Sequence, residues 1–141
     1  MMIDLKNKVV MVHPALTQDP VNMQGHMGKI ELIDFGNDEI VVRFKNQMIG
    51  LYSADALLML APGLEILDKV RVDSEEFDRY DFLDLLNVYL MDAGEYESNR
   101  REALEMALGN QALASSVVLL VQDYIDLHRD FDGSIPSGPK R

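Results

Sequence analysis

The sequence predicts an α+β protein, with an N-terminal five-stranded small β-barrel over residues 1–61 and a bundle of about three helices over residues 62–132. Three observations predict it. Short β-branched runs broken by glycine, asparagine and proline fill the first part. Apolar residues recur at helical spacing from Asp73 onward. Charge also divides the halves: residues 1–60 carry five basic and seven acidic groups, and residues 61–141 carry eight and seventeen. A chain of 141 residues suits one domain or two small modules sharing a core. Residues 133–141 hold two prolines and two glycines and are expected to form a flexible tail.

The first strand is Val9-Val10-Met11-Val12, ended by His13-Pro14 because proline cannot donate to a ladder. A polar loop follows, from Thr17 to Gly25. Residues 29–35 form the second strand, and their alternation slips between Leu32 and Ile33, which predicts a bulge or bend. Gly36-Asn37-Asp38 is a hairpin turn. In residues 40–45, Ile40, Val42 and Phe44 point inward and Val41, Arg43 and Lys45 outward. Asn46 marks a second turn before a strand from Gln47 to Tyr52. Ser53 opens a single helical turn, and Leu57 to Leu60 close the set as a fifth strand.

Five short strands with one long early loop and a late helical turn resemble the Src-homology-3-like small barrel. Gly25-His26-Met27-Gly28-Lys29-Ile30, followed by Ile33 and Ile40-Val41-Val42, resembles the G-x-x-G-x-[IV] core of KOW-type barrels. That resemblance implies a barrel fold more than it implies nucleic-acid binding. The chain as a whole, barrel then helices, resembles small bacterial proteins without an assigned activity, which implies architecture alone.

Residues 64–72 favour a short helix, although Val70-Arg71-Val72 could extend a strand. The first long helix begins at Ser74 and ends at Gly94, with Phe82, Leu83, Leu86, Tyr89, Leu90 and Ala93 as its apolar stripe. Ser98 can cap a second helix, whose stripe is Leu104, Ala107 and Leu108 and whose stop is Gly109-Asn110. A third helix is expected over residues 111–129. Its apolar residues, from Leu113 to Leu127, cover about half its circumference and require more than one neighbour.

The chain contains no cysteine, which removes disulfides, thiolate zinc sites and cysteine nucleophiles. Met1 to Lys8 lack an apolar targeting core and no apolar run reaches the length of a bilayer span, so a cytoplasmic location is expected. The net charge of −11 disfavours broad contact with nucleic acid or anionic membranes. His13, His26 and His128 lack metal-ligand spacing, so no metal or cofactor is expected. Asp78, Asp81 and Asp84 read as a solvated helix face, because acid–base work needs burial to move a carboxylate toward neutrality. No nucleophile elbow, phosphate loop or dinucleotide fingerprint is present, and no catalytic residue is expected.

Two surfaces remain as candidates. Lys29, Arg43, Lys45 and Tyr52 would place cations and an aromatic on the barrel. Phe77, Val88 and Met91 fall opposite the stripe of the first long helix, where they would pack on the barrel, meet a partner or meet a second copy of the chain. The expected function is a non-enzymatic protein-interaction or regulatory module. The alternative is an RNA- or ribosome-associated factor using the barrel face, and a third reading is a ligand binder or enzyme with an unrecognised carboxylate site.

Overall fold

The β-branched runs of the first sixty residues do become strands. The computed structural model describes residues 5–17, 19, 21–72, 77–94 and 96–133, with the backbone alone for residues 70, 72 and 128–133. The strands are β1 (Val9–Val12), β2 (Met27–Asp34), β3 (Glu39–Phe44), β4 (Ile49–Tyr52) and β5 (Leu57–Leu60), with a 3-10 turn at Ala54–Ala56 before the last. The register shifts between Ile30 and Leu32, so the bulge is at Glu31, just before the Leu32–Ile33 step where the sequence placed it. The β2–β3 turn puts its positive φ on Asp38, and the β3–β4 turn puts it on Gln47.

The helices are α1 (Gly63–Val72), α2 (Arg79–Asp92), α3 (Glu97–Leu108), α4 (Gln111–Val117) and α5 (Val121–Gly133). Between α4 and α5 lies β6 (Val118–Leu120). The long helix expected over residues 111–129 is therefore broken. Ser115 and Ser116 are weak helix formers, and the apolar run after them pairs antiparallel with β5 instead, Leu58 facing Leu120 and Leu60 facing Val118. The expected cap at Ser74 and the tail beyond Gly133 lie outside the described residues.

The sheet has six antiparallel strands in the order β4-β3-β2-β1-β5-β6. It is open, with β4 and β6 as its outer strands, and this corrects the closed five-stranded barrel expected from the sequence. The physical reason is that β6 takes the free edge of β5, and α5 fills the hollow that a closed barrel would seal. Among the described residues five α-helices likewise replace the expected bundle of about three.

Alternation along each strand builds two cores, one on either side of the sheet. Val10, Val12, Ile30, Ile40, Val42, Phe44, Leu57 and Met59 face one side, where Val121 and Ile125 of α5 join them. Val9 and Leu60 face the other side, together with Ile66 of α1, Leu85 and Val88 of α2, Ala103, Leu104 and Ala107 of α3, and Leu113 and Val117 of α4. The wide apolar arc of residues 113–127 now has a cause. Its first half serves one core and its second half the other, with β6 as the crossing. β6 and α5 also tie the C-terminal part of the chain into the sheet begun by the first sixty residues.

Candidate functional site

The helical layer stops short of half the sheet. α3 lies against β1, β5 and β6. Beyond it, the outward face of β2, β3 and β4 keeps large side chains in solvent: Leu32 is 65% exposed, and Ile49 and Leu51 are each 49% exposed. Strand register sets them side by side. Leu32 faces Val41, Val41 faces Leu51, and Arg43 faces Ile49. Alternation forces this grouping, because Ile30, Ile40, Val42 and Tyr52 must point into the core.

Next to this apolar row lies a basic groove between the sheet and α3. Its hollow of about 300 Å³ is lined by Lys29, Arg43, Phe44, Lys45, Gln47, Glu97, Ser98 and Arg101. Lys29 sits between Val9 and Arg43 in register, and its ammonium reaches Glu97 at 3.2 Å. Arg101, one helical turn after Glu97, holds the same carboxylate at 2.9 Å. Arg43 donates from Nε to Glu31 at 2.7 Å, across the bulge, and its Nη1 lies 3.4 Å from the Gln47 side-chain oxygen. Lys45 makes no ion pair among the described residues.

The electrostatics follow from these pairs. Partial burial raises the Glu97 carboxyl, but hydrogen bonds from Arg101 and Lys29 outweigh it and hold Glu97 below the usual carboxylate range. The Arg43 hydrogen bond lowers Glu31 in the same sense. Four cations thus converge on one hollow in a chain whose net charge is −11, and two carboxylates hold three of them, Lys29, Arg43 and Arg101. All these groups are partly solvent-exposed, so an anionic group arriving from solution can compete for the cations.

Three of the four sheet residues singled out from the sequence therefore meet in one place: Lys29, Arg43 and Lys45. Tyr52 does not join them. It is buried, edge-on to Phe44, and its hydroxyl donates to the Asp19 carboxylate at 2.9 and 3.0 Å. Burial, then the Asp19 hydrogen bond and charge, push the phenol up. Phe44 is also fully buried, so the groove offers no stacking platform from either ring.

The second candidate surface is absorbed by the fold. Val88 is fully buried in the helical core, and Phe77 and Met91 pack partly buried against it. The face of α2 left in solvent is instead part of the expected stripe, with Leu83 50% and Leu90 64% exposed. This correction has a plain cause. α2 is apolar on both sides, and α3, α4 and α1 approach from the Leu85–Val88 side. Asp81 and Asp84, read as merely solvated, accept from the Asn110 side-chain amide at 2.8 and 3.4 Å. His13 accepts from the Ala15 backbone at Nδ1, His26 is exposed, and the His128 side chain lies outside the described set. Among the described residues no group of histidines and carboxylates is placed to hold a metal, and no helix is long and apolar enough to cross a membrane.

Sequence reasoning missed Glu97, Arg101 and Gln47 as groove residues, and Leu32, Val41, Ile49 and Leu51 as the row beside it. The four-residue spacing of Glu97 and Arg101 signals an ion pair, but only tertiary contact shows that it faces Lys29. No family model, curated protein or solved structure matches the chain.

Proposed function

We propose that this protein is a protein-interaction module, and that its partner is a protein segment carrying apolar side chains beside acidic ones. The observation that carries this reading is the direct continuity of the Leu32–Val41–Leu51 row with the basic groove. Exposed apolar rows of this kind are buried when a partner lies across them. The adjoining cations give that partner its charge and its direction. A segment with leucine or valine over the row and aspartate or glutamate over the groove satisfies both parts. Its acidic groups would take over Lys29, Arg43 and Lys45, with Glu97 and Glu31 acting as internal stand-ins until they arrive. RNA fits less well, because Phe44 and Tyr52 are both buried and neither offers a face for base stacking.

A labelled synthetic peptide with alternating leucine and aspartate tests the reading. Binding is expected to weaken about tenfold or more in Arg43→Glu and in Leu51→Asp, since each removes one half of the recognition. A peptide of the same length with lysine in place of aspartate and serine in place of leucine should not bind. Affinity for the peptide unchanged from the native protein in either variant overturns the proposal. So does tighter binding of a single-stranded RNA whose affinity falls steeply with salt and with Arg43→Glu alone.

A further inference from the structure

The sheet ends at β4, and that outer strand carries none of the usual edge protection. β4 pairs with β3 on one side and stands last in the strand order on the other. Soluble proteins blunt such edges with lysine, proline, a bulge or a covering element. Met48 to Ser53 contain no charged residue and no proline, and the β3–β4 register runs without a shift. Met48, Ile49 and Leu51 are exposed.

The register also fixes which backbone groups are free. The Phe44 N–H donates to the Met48 carbonyl at 2.9 Å, so these two residues form a hydrogen-bonded pair. Such pairs alternate along an antiparallel ladder. Gly50 opposite Val42 and Tyr52 opposite Ile40 therefore turn their N–H and C=O groups toward β3. Ile49 opposite Arg43 and Leu51 opposite Val41 turn theirs the other way, to the open edge. Among the described residues no backbone bond reaches either of them from that side.

We propose that the partner segment binds by strand addition, antiparallel along β4 and hydrogen-bonded to Ile49 and Leu51, an inference that rests on the reading of the outer face given above. Every pairing in this sheet is antiparallel, and the added strand continues the pattern. Side chains select its sequence. Residues opposite Ile49 and Leu51 share their face of the sheet, so they are apolar and lengthen the Leu32–Val41–Leu51 row. Before Ile49 the edge meets the turn that carries Lys45, which makes no ion pair among the described residues, and there the segment is acidic. A second copy of the chain fits less well. Four residues of edge bury far less than the roughly 1,200 Å² of a stable interface, and each copy carries a net charge of −11.

The test uses the native protein and the peptide Thr-Leu-Thr-Leu-Thr-Asp-Thr-Asp-Thr, whose leucines would lie opposite Leu51 and Ile49. Amide hydrogen exchange is followed by NMR. In the free protein Ile49 and Leu51 should exchange fast, and Gly50 and Tyr52 slowly. Saturating peptide should slow Ile49 and Leu51 at least tenfold. N-methylation of both leucines removes the N–H groups that face β4 and should weaken binding at least tenfold. N-methylation of the threonine between them should leave binding unchanged, because that N–H faces away from β4. Equal loss from the two methylations overturns the proposal. So does slow exchange of Ile49 and Leu51 in the dilute free protein, or protection that grows with protein concentration alone, which assigns the edge to a second copy. If the alternating leucine–aspartate peptide binds while Ile49 and Leu51 still exchange fast with either peptide, strand addition fails and the reading of the outer face stands. If neither peptide binds, both fail.

Discussion

Two glycines close to each other in sequence do different jobs. Gly25 adopts φ 78° in the turn before β2, and a Cβ there would meet nothing within 4 Å. Its requirement is torsional. Gly28 lies inside β2 opposite Phe44, and a Cβ would stand 2.5 Å from Val42 Cγ1 and 2.9 Å from the Arg43 carbonyl. Its requirement is space, and a backbone oxygen cannot be moved aside as a flexible side chain can. Gly25→Ala should therefore cost about 1 kcal/mol, the left-handed penalty, and Gly28→Ala about 2–3 kcal/mol from overpacking. Urea denaturation of the two variants checks the order, and an equal cost would contradict it. Asp19 shows the same economy on a polar scale. One carboxylate accepts from the Tyr52 hydroxyl and from the Val21 and Met23 backbone N–H groups, and so ties the long loop after β1 to the sheet.

Among the elements, Asn110 links two helices through one side chain. Its oxygen caps α4 by accepting from Ala112 and Leu113, and its amide bridges Asp81 and Asp84 of α2. Asn110→Ala should cost about 1–2 kcal/mol through loss of the cap, measured by thermal or urea unfolding; a change within experimental error would contradict the role. Asn110 was legible in the sequence as a helix stop, but its grip on two aspartates was not, because periodicity does not show which helix faces which. The strands were read well for a similar reason. Ile40, Val42 and Phe44 lie inward as alternation requires, and β2 does carry an irregularity, although it falls between Ile30 and Leu32 rather than between Leu32 and Ile33. What failed was long-range pairing. Val118-Leu119-Leu120 reads equally as helix or strand, and the open edge of β5 decides for strand. Without β6 in view, the sheet was expected to close on itself. The face of α2 was misjudged because its apolar residues surround the axis, so spacing alone could not choose the buried side.

At the scale of the molecule, one sheet separates two cores, and on its outer side α3 lies against β1, β5 and β6 and reaches the start of β2. The boundary of that cover is the Lys29–Glu97 pair. Past it, the sheet offers an apolar row and a basic groove that nothing in the described chain covers. The strongly acidic composition sharpens the contrast, since the groove gathers four of the chain's thirteen lysines and arginines. The central claim is that this uncovered face is where a partner segment binds. Chemical-shift mapping of the isotope-labelled protein against the leucine–aspartate peptide tests it most directly. The account predicts perturbations concentrated on Leu32, Val41, Arg43, Ile49, Leu51 and Arg101, with α2 unaffected. Perturbations centred on Leu83 and Leu90 of α2, or none on the β2–β3–β4 face, would contradict it.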